Sequence, residues 1–244
     1  KSKSSLPEIN EFLIQQNSNF LKGKFNGEQD SIFLTSDLLL TSIDNSFLNK
    51  TIVIISNSDI LLNGEWDLKG NVIFYSKGSV TIDNSAKLDN VIIYAKNIRL
   101  LENSLVSAQF IASKSIVIDS NSVLEYPSSI LSIGDSSSIV FNGNSKLSGT
   151  ILSLGTSNNS VNYISIGKNS KINGLIYNNN RTEMKGEIDG KLITKRLFYK
   201  SPSTEYSNTL IDATITNKGL PKYYSTTPLL KNDNPKIQVI RWLK

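Results

Sequence analysis

Pairs of apolar or small residues two positions apart recur every six residues through the middle of this chain. They are Val80/Ile82, Ala86/Leu88, Ile92/Tyr94, Ile98/Leu100, Ser104/Val106, Phe110/Ala112, Ile116/Ile118 and Ser122/Leu124. Residues i and i+2 of a strand point to the same side, so each pair reads as one short strand with two inward side chains. The residues between pairs turn a corner. A helix does not accommodate this spacing: six is not a multiple of 3.6, and the apolar position would wander around the helical surface. A second period lies on the first, because the small member returns every 18 residues at Ala86, Ser104 and Ser122. Three six-residue faces therefore complete one turn of a coiled stack.

Later turns keep this signature at wider spacing, as Ser145/Leu147, Ser170/Ile172 and Gly186/Ile188. Asn-Ser pairs precede the same face at Asn84-Ser85, Asn103-Ser104, Asn121-Ser122, Asn144-Ser145 and Asn169-Ser170. Asn tolerates left-handed backbone angles at a corner and extends an amide ladder up the stack, which makes these residues structural rather than catalytic. Extra residues around Tyr126 to Ser138 and Leu154 to Tyr163 are expected to lengthen the corner between the third face and the next first face. The architecture predicts that Ile98, Ile116 and Ile139 stand in vertical register on one wall.

Composition agrees with strands and turns. The 28 Asn and 36 Ser, which compete with helical hydrogen bonds, far outnumber the 5 Ala, the best helix former. There is no Cys and no His, which removes disulfides, Cys-type zinc sites, iron–sulfur clusters, thiol nucleophiles and the usual general base and triad partner. No cofactor is expected. No apolar run is long enough to span a bilayer, so membrane contact would require a segment outside this chain. The chain opens on Lys1 and not Met, the trace expected after removal of a signal peptide, an anchor or a disordered tail.

The flanks differ from the repeat. Ser5-Leu6-Pro7-Glu8 reads as a helix start with a capping box, with Leu6, Ile9, Phe12 and Leu13 falling on one face. After Tyr199, Pro202, Pro221, Pro228 and Pro235 divide an aromatic-rich segment into extended pieces, ending in a strand over Ile237 to Leu243. The predicted fold is all-β: a single-stranded, three-faced parallel β-helix, right-handed by analogy, with a short N-terminal helix and a C-terminal extended segment packing on or capping it. Its divisions are an N-terminal helix and capping strand region over 1–47, the β-helix over 48–199, and the C-terminal extension over 200–244.

The unit of small residue, any, aliphatic, any, Gly or Asn, any, aliphatic appears as Ala86-Lys87-Leu88-Asp89-Asn90-Val91-Ile92. It returns as Ser145-Lys146-Leu147-Ser148-Gly149-Thr150-Ile151 and Ser170-Lys171-Ile172-Asn173-Gly174-Leu175-Ile176. Over about 150 residues this pattern resembles the bactofilins, bacterial polymer-forming proteins. The resemblance implies a three-faced parallel β-helix and a capacity to self-assemble into filaments. Left-handed hexapeptide-repeat acyltransferases share the six-residue period, but their catalytic His has no counterpart here.

Parallel β-helices also carry polysaccharide lyases and glycosidases, which need clustered acids on one face. Asp83, Asp119 and Asp135 fall near the first face or its corner with nothing to pair them, and the other acids are scattered. The charge patch of the chain is Lys191, Lys195, Arg196 and Lys200, around the last coil; with Tyr223, Tyr224 and Trp242 of the C-terminal segment it forms the candidate interaction surface. The partners it points to are another protein, a second copy of the chain, or a glycan, with nucleic acid disfavoured. The expectation is a non-enzymatic structural, scaffold or interaction module of the bacterial cell envelope or extracellular surface, with a cytoplasmic location as the alternative. The competing functions are a glycan-binding or glycan-cleaving β-helix and a bactofilin-like filament subunit.

Overall fold

A computed structural model describes residues 6–25, 29–33, 41–155, 157, 159–218 and 227–231. Among these, one helix, α1 (Glu11–Leu21), precedes seventeen strands joined in one continuous sheet. The sheet is a parallel β-solenoid of about eight turns. Its first wall runs from Ser42–Asn45 to Thr214–Thr216, its second from Gln29–Phe33 to 190–194, and its third from Ile60–Leu62 to 196–198. The parallel ladder thus takes in strands before residue 48 and after residue 199.

The vertical registry expected on the third wall is present: Ile98 pairs with Ile116, and Ile116 with Ile139. On the second wall one unbroken inward column runs Ile32, Ile54, Phe74, Ile93, Phe110, Ile130, Ile151, Ile176, Leu192. Fully burying such a side chain stabilises by about 1.5–3 kcal/mol, so the axis of the solenoid carries the main driving force.

The first wall's small column also holds. Ser104, Ser122, Ser145 and Ser170 are buried, and each donates its hydroxyl to a corner carbonyl: Leu101 for the first two, then Asp119 and Asn142, at 2.6–3.0 Å. The preceding Asn103, Asn121, Asn144 and Asn169 have φ of 61–63°, and Asn169 donates its amide to Asn144 Oδ1 at 3.2 Å. Asn84 is not among the left-handed residues, because Ser85, not Asn84, immediately precedes the inward small residue Ala86 in that turn.

Three expectations are corrected. Ile92 and Tyr94 face outward, while Val91, Ile93 and Ala95 point to the axis. Asn90, at φ 59°, is an extra residue at the corner, and one extra residue reverses every side chain of the strand that follows. The longest insertions, 134–137 and 155–162, lie between the second and third walls; the third-to-first corner is held short by the Asn-Ser turns. A smaller insertion, 125–127, sits between the first and second walls. Finally, α1 starts at Glu11 with Asn10 as its cap, its side chain accepting from Leu13 N–H, and Phe12 is exposed. Ser5 lies outside the described residues. Glu8 and Asn10 are instead extended, bonded antiparallel to Lys231 and Leu229.

The second wall is apolar on its outer side as well. Its outward column is Phe33, Ile55, Tyr75, Tyr94, Ile111, Leu131, Leu152, Tyr177, Ile193. A strap made of α1, Phe25 and the paired segments around Ile9 and Leu230 packs over it. Phe20 stacks on Tyr94 with ring centroids 5.2 Å apart, Phe25 meets Tyr75 edge-on, Tyr94 donates its hydroxyl to Asn17, and Tyr177 donates to the Pro7 carbonyl. The helix therefore lies along the side of the solenoid.

Candidate functional site on the third wall

The richest chemistry among the described residues collects on the outer side of the third wall in its last three turns. Parallel pairing sets Tyr163 beside Arg181 and Ser165 beside Glu183, and then Arg181 beside Arg196 and Glu183 beside Phe198. After Lys200 the chain reverses, and strand Glu205–Ser207 pairs antiparallel with 198–200. That hairpin brings Glu205 onto Arg181, whose guanidinium also lies 4.4 Å from the centre of the Phe198 ring.

Glu183 is the buried charge of the cluster, 5% exposed. Its carboxylate accepts from Lys185 Nζ at 2.7 Å, Tyr163 Oη at 3.0 Å, Ser165 Oγ at 3.3 Å and the Lys200 N–H at 3.3 Å. Burial pushes its pKa up, but the hydrogen bonds from Lys185, Tyr163 and Lys200 outweigh burial and hold the carboxyl below its ordinary value. Burial, the largest influence, raises the Tyr163 hydroxyl, and the neighbouring Glu183 charge raises it further. Lys185 also lies 5.1 Å from the Tyr199 ring and donates to the Lys200 carbonyl. A carboxylate kept ionised by this many donors is a structural anchor and a poor general acid near neutrality.

The structure separates the expected basic patch. Lys191 is exposed on the second wall in register with Leu175, Lys195 sits at the corner, and Arg196 is on the third wall. Lys200 lies opposite Glu205, beyond the stacked part of the wall. Only Arg196 and the Lys200 backbone reach the cluster. Tyr223, Tyr224, Trp242 and the expected strand over Ile237 to Leu243 lie outside the described residues. Sequence reasoning missed Tyr163, Arg181, Glu183, Lys185, Phe198 and Glu205. The 18-residue period offered a signal, since Tyr163 and Arg181, and Ser165 and Glu183, are 18 apart.

An open cavity of about 320 Å³ adjoins the cluster, lined by Arg181, Arg196, Phe198, Glu205, Ser207 and Asn208 among others. The three acids singled out from sequence do not join it. Asp83 accepts from Ser85, whose hydroxyl and N–H hold its carboxyl below the usual range; Asp119 binds Arg99 at 2.7 Å and Asn142 at 3.0 Å; Asp135 accepts from the Ser157 N–H. Among the described residues no three His, Cys, Asp or Glu side chains stand together as metal ligands, and no helix is long and apolar enough to cross a membrane. No family model matches this chain, and neither a curated protein nor a solved structure matches it significantly.

Proposed function

We propose that this chain is a rigid, non-enzymatic scaffold or interaction module of the bacterial cell envelope or surface. The observation that carries the reading is the continuous second-wall column from Ile32 to Leu192, packed inside a ladder in which each strand pairs with the next turn. Neighbouring strands rise about 4.8 Å, so eight turns make a rod on the order of 35 Å long with its ends held at fixed separation. The strap along the second wall braces the same rod from outside. The bacterial assignment draws support from the resemblance of the repeat to bactofilins.

A glycan-cleaving reading has less support. Glu183 and Glu205, the carboxylates nearest the aromatics of the third wall, are each bonded to a cation, Lys185 and Arg181. End-to-end stacking into filaments also has less support, because the 205–207 strand occupies the edge of 198–200 at the end of the solenoid. Electron microscopy tests that alternative: filaments at high concentration would establish it, and monodisperse particles would reject it.

Because the chain has no Cys, rigidity is directly measurable with two introduced thiols. Spin labels at Leu48→Cys, exposed in the first turn, and Ser203→Cys, exposed in the last hairpin, are expected to give one narrow distance distribution. A broad distribution under native conditions overturns the scaffold reading. Cell fractionation tests the placement, with recovery wholly in the cytosol as the contrary result.

A further inference from the structure

We propose that the cavity on the third wall binds a single sugar-acid unit, a monocarboxylate of uronic-acid type, with Arg196 as the residue that grips its carboxylate. This adds a ligand to the scaffold reading and does not depend on it.

The first ground is a guanidinium uncommitted among the described residues. Arg181 and Arg196 occupy the same outward position on adjacent parallel strands. Their backbones are therefore about 4.8 Å apart, and two like charges are held side by side. Arg181 is committed, paired with Glu205 and laid against Phe198. Arg196 is exposed, and its guanidinium makes no ion pair or hydrogen bond with any described residue. A planar guanidinium offers a fork of parallel N–H donors that matches a carboxylate's two oxygens.

The second ground is charge balance. The lining carries two cations, Arg181 and Arg196, against one anion, Glu205, an excess of one positive charge. One negative charge completes it. A dianion such as sulfate or phosphate would overshoot and would meet the Glu205 carboxylate, which lies on the same lining.

The third ground is size and the remaining chemistry. The 320 Å³ volume stands at the lower end of the roughly 300–1,000 Å³ range of small-molecule sites, room for one ring rather than an oligomer. Ser207 and Asn208 bring a hydroxyl and an amide for ring hydroxyls, while Phe198 adds apolar surface. Asn208 is fixed in this place by its left-handed backbone, φ 55°, and by its N–H bonded to the Leu197 carbonyl at 2.7 Å. The site is built by strand pairing and a tight turn, and therefore exists before ligand arrives.

The test is calorimetric titration of the full chain with sodium glucuronate, glucose, acetate and sulfate at fixed ionic strength. Glucuronate is expected to bind saturably with about millimolar Kd, at least about tenfold tighter than the other three. Arg196→Gln should weaken glucuronate at least about tenfold at unchanged melting temperature, and Arg196→Lys should recover only part of the loss, because it restores the charge without the fork. In amide NMR spectra, glucuronate should shift Ser207 and Asn208 and leave Lys87 on the first wall unmoved. Equal binding of glucose, equal or tighter binding of acetate or sulfate, no saturable glucuronate binding, or an unaffected Arg196→Gln variant would each overturn the proposal.

Discussion

Ile92 and Ile93 are adjacent, chemically identical and placed on opposite sides of the second wall, so truncating each in turn measures which side is the axis. Ile93 is fully buried between Phe74 below and Phe110 above. Removing its three outer carbons forfeits about 2.4 kcal/mol at ~0.8 kcal/mol per methylene, and the cavity left in a column that cannot collapse brings the total for Ile93→Ala to about 3–4 kcal/mol. Ile92 is half-buried under the strap. The same three carbons there are worth about 1 kcal/mol, since only part of the area is shielded and the strap is able to settle. At roughly 2–4 °C per kcal/mol for a domain of this size, Ile93→Ala should lower the melting temperature by about 6–16 °C and Ile92→Ala by about 2–4 °C. Circular dichroism supplies the melting curves. Tryptophan emission gives a second readout, because Trp66 meets Phe74 edge-on at 5.6 Å and Phe74 is the rung beneath Ile93. Ile93→Ala should shift that emission and Ile92→Ala should not. Equal losses, or a larger loss at Ile92, would refute the register and restore a strict six-residue phase.

Three further outcomes follow from the same geometry. Asn144→Ala should cost about 1–2 kcal/mol because Ala is strained at φ 63°, whereas Asn144→Gly should stay within about 1 kcal/mol of the parent; melting curves that rank Gly below Ala would contradict the corner assignment. The Glu183 carboxyl is held below its ordinary value, so its stabilisation is complete above the unfolded value and is lost as pH falls through the folded one; relative to Glu183→Gln, the parent's melting temperature should fall more steeply from neutral pH to about pH 3, and parallel curves would remove the role assigned to the cluster. Ile14→Asp should free α1 while leaving the solenoid folded: exchange at the amides of 11–21 should become fast and a hydrophobic dye should bind the second wall, with unchanged strand signal by circular dichroism, whereas loss of that signal would mean that the strap is part of the axial core.

The repeat itself was legible because burial on the axis is decided locally. A strand's alternation and an 18-residue return are one-dimensional facts, and stacking each turn on the next only reinforces them, as Ser104, Ser122, Ser145 and Ser170 show. The left-handed Asn corners were legible for the same reason, since their cause lies in the residue's own backbone preference. What failed was anything that depended on the count between corners. One extra residue at Asn90 reversed the following strand, and the paired insertions moved to another corner once Phe141 and Ile166 proved to belong to the third wall. The runs Thr51–Ser56, Val72–Ser76 and 91–95 carry four or five apolar residues in succession, the mark of strands buried on both sides, and that signal went unread beneath the period of six.

The third-wall cluster needed tertiary structure for a different reason. Arg181, Arg196 and Glu205 meet because turns of 18 and 15 residues and then a reversing hairpin bring them together, and no local preference records that sum. Lys191 and Arg196, neighbours in sequence, were parted by a corner of the prism. The sequence alone determined that the chain coils, because each turn needs only its own alternation of inward and outward residues. Which outer faces are sealed, and which charges among the described residues are left without a partner, was decided only when distant segments packed across the walls, because those contacts join residues up to 170 positions apart.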